Sequence, residues 1–474
     1  MTLIQILVFS IISVLIAWLI PARWRGWFIL GGSLIAVYWM QTAVTIRSLD
    51  FWLPTASIGL TLLTWSVTQS KGKSAFFHNR TALLFIIAII LVLSLTRYLG
   101  PVCCLTATRP PQFLQVLVGL SIILGLAALL LFLPDKTRVI SAWIILLLCL
   151  FIILKSEWGY QQASLGLRTL TGQDPSLTSP LDIRWLGFSY LAFRLLHVLR
   201  DAQLGRLPEF SLLEFVSYAI FFPSYPSGPI DRAQRFIQQD FRRLQKIDFT
   251  RAAAGGQRIV IGIFKKFVLA DSLALIALNA QNSNQTSSSI WTWVLLYAYG
   301  LRLYLDFSGY IDIALGLGNL LGITLPENFN KPYLKTNLTS FWNSWNITLA
   351  SWFRAYFFNP LTRSMRQSQL KFPTWLIIFI GQFSTMALIG LWHGITWNYA
   401  LWGVWHALGL FIHNRWSEWL RQRLVLDEER VNLHRMLKLG GWFLTFNYVT
   451  LSWVWFALPS PSASLAVFKT LFGL

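Results

Sequence analysis

Long apolar runs, separated by short polar segments, recur along the whole chain. An α-helix needs about 20 predominantly apolar residues to cross the hydrocarbon core of a bilayer. In the first third of the chain most runs approach that length, and they lie at residues 3–20, 27–44, 51–67, 82–95, 113–133 and 140–154. Roughly ten to twelve such segments can be counted over the full chain. The pattern predicts an all-α, polytopic integral membrane protein. Because no long polar segment interrupts it, we expect a single integral-membrane domain over residues 1–474.

Composition and charge agree with this prediction. Hydrophobic residues make up 55% of the chain and charged residues only 12%, which is about half the charged share of soluble domains. The formal net charge is +20, and most basic residues lie in short segments between apolar runs. An excess of Lys and Arg marks the cytoplasmic loops of membrane proteins, so no nucleic-acid partner is needed to explain the charge. The same loops could attract anionic lipid headgroups or an acidic soluble partner.

Two histidines interrupt the apolar segment Met386–Leu410. An ionisable side chain at membrane depth is expensive, so it usually faces a protein interior or a water-filled cavity and serves a function. Histidine is also the side chain best suited to move a proton near neutral pH. We therefore predict that His393 is a functional residue and that the rest of the chain brings a reactant to it. His406 belongs to a stripe of aromatic residues at helical spacing, which favours a supporting role for it.

Residues 338–360 have the periodicity of one amphipathic helix, with Trp342, Trp345 and Trp352 on its apolar face. Asn346 lies on that same face. A buried amide needs hydrogen-bond partners, so Asn346 either caps a structural element or faces a reacting group. An amphipathic helix of this kind could equally be a membrane-surface anchor.

Asp306 begins a glycine-rich apolar stretch that extends to residue 322. Arg302, Asp306 and Tyr310 are spaced four residues apart, so on a helix they would share a face and could satisfy one another. Unpaired charges at membrane depth are expensive, which favours a structural pair over a catalytic carboxylate. The cysteines have no metal-ligand spacing, and no metal site is expected.

Seven stretches between residues 186 and 410 resemble, in order, the membrane-bound O-acyltransferase (MBOAT) superfamily. Within it they are similar to the bacterial branch that includes alginate O-acetyltransferase and the teichoic-acid D-alanyl transferase. The stretches are LGFSYLAFRLLHVLRD, FFPSYPSGPIDRAQRF, GIFKKFVLAD, YLDFSGYIDIALGLGNLLGI, PENFNKPYLKT, FWNSWNITLASWFRAYFFNPL and LWHGITWNYALWGVWHALGL. The resemblance implies a ring of tilted transmembrane helices around a central tunnel, with a catalytic core at 186–410 and peripheral N-terminal transmembrane helices at 1–185.

The resemblance also implies roles for individual residues. An acyl thioester would enter the tunnel from the cytoplasmic side, and an acceptor hydroxyl from the other side. His393 occupies the position of the family's catalytic histidine. Asn346 stands where this branch usually carries a second histidine and other branches carry asparagine. The usual Arg-Asp-Tyr that follows is Arg354, Ala355 and Tyr356 in this chain, which removes a carboxylate.

Together these features predict an enzyme that transfers an acetyl or other short acyl group to a hydroxyl of an exported polysaccharide or cell-envelope polymer. His393 would take the hydroxyl proton, and Asn346 would orient or polarise the acyl carbonyl. The residues expected to support His393 and Asn346, without reacting themselves, are His406, Arg354, Tyr356 and Asp306. No covalently bound cofactor is expected, because the donor would be acyl-coenzyme A or an acyl carrier protein on the cytoplasmic side.

The remaining expectations concern location and partners. The protein would be a multi-pass protein of the plasma (inner) membrane, in contact with the lipid bilayer and with an extracytoplasmic acyl-handling protein. Three alternatives stay open. The first is a lipid acyltransferase of the same superfamily, and the second is a non-enzymatic transporter or pore whose imidazoles relay protons. The third is a degenerate relative, suggested by Asn346 and Ala355.

Overall fold

The computed structural model describes residues 1–69, 73–100, 104–244, 247–423 and 431–474. Helices dominate these residues, and the β-type pairing among them is one antiparallel bridge between Phe329 and Trp345. The predicted all-α class is confirmed. The described residues divide into two compact units, the first formed by residues 1–260 and 311–326 and the second by residues 261–310 and 327–474. The single integral domain over residues 1–474 stays a prediction.

Two helices of the first unit, Leu3–Leu19 and Leu212–Ala219, begin with reciprocal capping side chains. Thr2 and Ser211 each accept a hydrogen bond from the backbone three residues on, and the side chains of Gln5 and Glu214 return the bond. This reciprocal arrangement satisfies amides that the first helical turn leaves unpaired. The helices span Leu3–Leu19, Ala22–Met40, Leu49–Thr68, Lys73–Leu95, Phe113–Phe132, Lys136–Lys155, Glu157–Leu170, Phe188–Gln203, Leu212–Ala219 and Phe249–Ile263.

Several helices of the two units are suited to a bilayer by length and composition alone. Within the described residues, four helices are both long and apolar enough to cross it, namely Phe77–Tyr98, Phe113–Phe132, Lys136–Lys155 and Thr374–His393. Leu3–Leu19 is apolar but shorter. The larger number of roughly ten to twelve spans stays a prediction.

A buried ion pair connects two polar segments of the first unit. Asp182 is fully buried and accepts hydrogen bonds from Nε of Arg168 at 2.7 Å and from its Nη2 at 2.8 Å. The hydroxyls of Ser164 and Thr45 donate to the same carboxylate. The Arg168 guanidinium holds the pKa of the Asp182 carboxyl well below its usual range. The carboxylate is therefore charged and satisfied inside the protein.

A proline-rich segment of the first unit, residues 221–231, is non-helical and mostly buried. Arg194 of the neighbouring helix donates from Nη2 to the carbonyl of Ser224 in this segment at 2.7 Å. Its Nη1 donates to the carbonyl of Ala219, at the end of the helix before the segment, at 2.8 Å. Irregular backbone in membrane proteins is tolerated where it is enclosed by protein that satisfies its polar groups. Arg194 supplies part of that satisfaction.

The second unit contains the candidate site residues. Its helices span Ser289–Leu320, which ends within the first unit, and Leu338–Trp342, Ile347–Phe353, Asn359–Gln367, Thr374–His393, Trp397–Arg423, Val431–Ala457 and Pro461–Phe472. The prediction of one continuous helix over residues 338–360 is wrong. The chain leaves the helix after Trp342, and Asn346 adopts a left-handed conformation with φ of 43° before the next helix starts.

Candidate active site

His393 is the last residue of the helix Thr374–His393, which we call the histidine helix. Gly394 follows in extended conformation, and the return helix Trp397–Arg423 begins shortly afterwards. Glycines let these two helices approach closely. A Cβ added to Gly390 would lie 2.2 Å from the Tyr399 carbonyl oxygen, and one added to Gly403 would lie 2.6 Å from the Met386 carbonyl oxygen. Small residues of this kind permit tight packing between membrane helices, so this contact fixes the position of His393.

Aromatic rings surround the His393 imidazole, which is partly exposed. The ring centroid lies 4.8 Å from that of Phe456, 5.5 Å from that of Trp402 and 5.8 Å from that of Tyr399. Two of these contacts are edge-to-face, the geometry that aromatic pairs prefer. These rings hold the imidazole in place and leave part of its surface exposed.

Asn346 belongs to a buried network of side chains. Its Oδ1 accepts a hydrogen bond from Nδ2 of Asn328 at 3.0 Å. Asn328 Oδ1 in turn accepts from the backbone N–H of Thr348 at 3.0 Å and from the Thr348 hydroxyl at 2.8 Å. The exposed fraction is 0% for Asn328 and 5% for Asn346. Within the described residues, Nδ2 of Asn346 makes no hydrogen bond.

A chain of aromatic rings joins His393 to the segment that carries Asn346. Trp345, next to Asn346, packs on Trp453 with a centroid distance of 5.3 Å. Trp453 stacks on Trp402 at 5.9 Å, and Trp402 contacts His393 at 5.5 Å. The second unit therefore contains both predicted catalytic residues, and ring contacts run from His393 to Trp345, the sequence neighbour of Asn346.

His406 packs against this set of aromatic rings and is fully buried. Its Nε2 is 2.9 Å from the Ser452 hydroxyl, which itself donates to the carbonyl of Val449. Nε2 must then carry the proton and donate to Ser452. The imidazole packs edge-to-face against Trp342 and Trp402, at centroid distances of 5.0 and 4.8 Å. These contacts fit the supporting role predicted for His406, which stays a prediction.

The other three predicted residues, Asp306, Arg354 and Tyr356, each contact a different side chain. Asp306 accepts from Nζ of Lys266 at 2.5 Å, so the expected pairing with Arg302 is wrong. Lys266 lies on a π-helical turn that interrupts the preceding helix and brings its amine to the carboxylate. Arg354 donates to Oδ1 of Asn343 at 2.5 Å. Tyr356 packs on Trp352 with a centroid distance of 5.3 Å.

A cavity of about 170 Å³ opens beside Trp342 within the second unit. Its lining is mostly apolar, and it includes Gln382 of the histidine helix and, at an exposed position, Arg354. Two buried polar atoms of this lining, Nε1 of Trp342 and Oε1 of Gln382, have no hydrogen-bond partner in the described part of the chain. Buried polar groups are rarely left unsatisfied, and here the indole N–H of Trp342 lacks an acceptor and the amide oxygen of Gln382 lacks a donor.

Sequence reasoning did not single out two of these residues. Asn328 lies inside the quoted stretch PENFNKPYLKT, but its partner is distant in sequence and no periodicity indicates it. Gln382 is the one carboxamide of the largely apolar histidine helix, and a polar residue at membrane depth is a functional signal by the same reasoning that identified His393. Among the described residues, no group of three or more His, Cys, Asp or Glu side chains could hold a metal ion.

The sequence is similar to a known protein family and to several known proteins. Residues 33–452 match the membrane-bound O-acyltransferase family. The chain is 34% identical over 288 residues to a teichoic acid D-alanyltransferase of Streptococcus thermophilus, a match covering 58% of this chain and 68% of the relative. It is 33% identical over 270 residues to a peptidoglycan O-acetyltransferase of Helicobacter pylori, covering 56% and 48%. It is 30% identical over 346 residues to a probable alginate O-acetylase of Pseudomonas aeruginosa, covering 71% and 62%.

Proposed function

Because the chain belongs to the membrane-bound O-acyltransferase family, we propose that it transfers an acetyl or other short acyl group from a thioester to a hydroxyl of an exported polysaccharide or cell-envelope polymer. The protein is integral to a membrane, and we propose the plasma (inner) membrane as its location. The observation that carries the proposal is the imidazole of His393. It is rigidly held at the end of a closely packed helix pair, partly exposed, and joined by aromatic contacts to Trp345, the residue next to Asn346 in sequence.

The chemistry of acyl transfer matches these two side chains. A ring nitrogen of His393 takes the proton of the acceptor hydroxyl while the oxygen attacks the thioester carbonyl, forming the C–O bond. The N–H of Asn346 Nδ2 stabilises the negative charge that develops on the carbonyl oxygen. The C–S bond then breaks, and the thiolate takes the proton back from His393. A positioned general base typically supplies about 10² to 10⁴ in rate, and one oxyanion donor about 10² to 10³.

The cavity beside Trp342 supports the choice of a pantetheine thioester as donor. A secondary amide offers one carbonyl acceptor for Nε1 of Trp342 and one N–H donor for Oε1 of Gln382. The guanidinium of Arg354 at the exposed side suits a phosphate, since Arg pairs well with phosphate oxygens. Acyl-coenzyme A and an acyl carrier protein both carry a phosphate and amides on the arm that bears the thioester. The proposal includes a cytoplasmic donor and an extracytoplasmic acyl-handling partner.

The test compares His393→Ala with His413→Ala, a matched control in the return helix. Cells expressing each variant are analysed for O-acyl esters released by mild alkali from their exported polymers and, separately, from their lipids. We expect at least a 10²-fold loss of polymer esters in His393→Ala at equal amounts of folded protein, and little change in His413→Ala. Esters found in the lipid fraction would favour a lipid acyltransferase. Unchanged esters together with an altered proton or solute flux would favour a transporter and overturn the proposal.

A further inference from the structure

We propose that Asn328 is a positioning residue, which keeps the carboxamide of Asn346 turned so that its Nδ2 is available to the acyl carbonyl. This inference rests on the proposed function. It concerns a residue that makes no contact with the predicted base and acts only through Asn346. Hydrogen bonds of fixed direction link Thr348, Asn328 and Asn346.

A backbone amide sets the direction. The Thr348 N–H can only donate, so the Asn328 atom 3.0 Å away from it must be the carbonyl oxygen. The other end of the Asn328 carboxamide is then its NH₂ group, which can only donate. The Asn346 atom 3.0 Å from that group must therefore be the oxygen. Nδ2 of Asn346 is what remains, and its hydrogens are left for a ligand.

Carboxamides can turn by half a rotation, and the same network opposes this for Asn346. A turned Asn346 would bring two NH₂ groups together and would leave its own oxygen without the Asn328 donor. Both side chains are buried, and an unsatisfied buried polar group disfavours a state by about 5- to 150-fold. The donor orientation is therefore strongly preferred before any substrate binds.

Backbone contacts hold the two asparagines in register. The N–H of Ile347 donates to the Asn328 carbonyl at 3.0 Å, and the N–H of Asn330 donates to the Ser344 carbonyl at 3.0 Å. Phe329 and Trp345 form the antiparallel bridge between these contacts. The segment 328–330 is thus fixed against the residues immediately before the helix Ile347–Phe353.

The central variant is Asn328→Asp. An aspartate keeps the size of asparagine and can still accept from the Thr348 N–H, but its second oxygen now faces Asn346. Asn346 would turn its NH₂ group towards that oxygen and present its own oxygen to the substrate. We expect turnover by folded Asn328→Asp protein to fall about 10²-fold, the effect of removing one oxyanion donor. The KM for the donor should change less than 3-fold.

Two further variants separate orientation from structural support. Thr348→Val removes the hydroxyl that also donates to Asn328, but leaves the backbone N–H that sets the direction, so turnover should stay within 3-fold of wild type. Asn346→Gly removes the carboxamide without strain, because glycine accepts the positive φ of 43°. In the Asn346→Gly background, Asn328→Asp should cause no further loss of turnover. Asn398→Asp is the matched control, since Asn398 is also buried and binds the Leu458 carbonyl and Ser464.

The measurement is acetyl transfer by protein reconstituted in nanodiscs, with acetyl-coenzyme A or acetylated acyl carrier protein as donor and de-esterified envelope polymer as acceptor. If wild type transfers nothing from either donor, the proposed function fails and this inference fails with it. If Asn346→Gly loses turnover while Asn328→Asp does not, only the inference is overturned. It is also overturned if the two losses multiply, or if Asn398→Asp lowers turnover of the folded protein as much as Asn328→Asp does.

Discussion

The close contact between the histidine helix and the return helix makes Gly390→Ala a direct test of how His393 is positioned. The added Cβ would lie 2.2 Å from the Tyr399 carbonyl oxygen, whereas ordinary contact starts at 3.4 Å, a difference of 1.2 Å. Both atoms belong to backbone or are rigidly attached to it, so neither can move aside as a flexible side chain would. The two helices must separate or shift along each other.

The size of the effect follows from this distance. Overpacking of this kind typically destabilises a protein by about 1–3 kcal/mol. His393 lies one helical turn beyond Gly390, and the Tyr399 ring contacts it, so the shift reaches the imidazole. A misplacement of about 1 Å can lower turnover about 10²-fold. We therefore expect Gly390→Ala to fold with reduced stability and to transfer acyl groups about two orders of magnitude more slowly.

The assay combines the thermal midpoint from tryptophan fluorescence with acetyl transfer per folded molecule in nanodiscs. Gly440→Ala is the matched control, because a Cβ at Gly440 meets no atom within 4 Å. It should leave both quantities near those of wild type. Equal midpoints and equal turnover for the two variants would refute the reasoning, because the histidine would then not depend on the close helix contact.

Four other substitutions, two of them in the cavity, give equally specific expectations. Trp342→Phe and Gln382→Met should each raise the KM for S-acetyl-pantetheine about 5-fold, because each removes one hydrogen bond to the donor. Neither substitution should change the KM for an S-acetyl alkyl thiol, which lacks amides. Asp182→Asn leaves Arg168 buried without its charged partner and should destabilise the protein by about 3–5 kcal/mol in chemical denaturation. Because the folded-state pKa of Asp182 is depressed, this carboxylate stabilises the folded protein above about pH 4, and the stabilisation is lost as the pH falls further. The unfolding midpoint of Asp182→Asn should therefore decrease less in acid than the midpoint of wild type. His406→Phe should lower stability by about 1–3 kcal/mol but reduce turnover less than 10-fold, since it removes a buried bond and not a reacting group.

Each expectation has an outcome that contradicts it. Trp455→Phe is the control for Trp342→Phe, because both indoles are buried, at 9% and 8% exposed, and in the described residues neither Nε1 has a hydrogen-bond partner. An equal rise in KM in both variants would argue against amide recognition in the cavity. If the unfolding midpoints of wild type and Asp182→Asn decreased equally in acid, Asp182 would not contribute to the pH dependence of stability. A loss of turnover in His406→Phe as large as in His393→Ala would make His406 a participant in the reaction.

The apolar pattern was sufficient to predict those helices whose limits depend on local composition. The runs at 113–133 and 140–154 appear as the helices Phe113–Phe132 and Lys136–Lys155, because a long apolar run in a membrane protein must satisfy its backbone within a helix. His393 and Asn346 were also accessible to sequence reasoning, since each is a polar residue among aromatic ones, and both lie in the second unit. Their catalytic roles stay predictions.

The break between Trp342 and Ile347 could not be predicted in this way. The aromatic periodicity continues through Asn346, and the positive φ at that residue is supported by Asn328, which is local neither in sequence nor in the helical repeat. The pairing of Asp306 failed for a similar reason. A spacing of four residues favours Arg302, but a lysine from another segment reaches the carboxylate instead. Long-range contacts of this kind decide the details of the site, and periodicity carries no information about them.

The left-handed backbone at Asn346 narrows the range of residues that evolution can place there. Side chains other than glycine tolerate such a conformation poorly, with asparagine, aspartate and histidine the most frequent exceptions. Glycine offers no side-chain donor, and an ionised aspartate only accepts. The two residues that meet both requirements are asparagine and histidine, which are the two that the resemblance implies for this position. An exchange between asparagine and histidine is therefore compatible with the same backbone conformation. Such an exchange does not by itself indicate a different reaction.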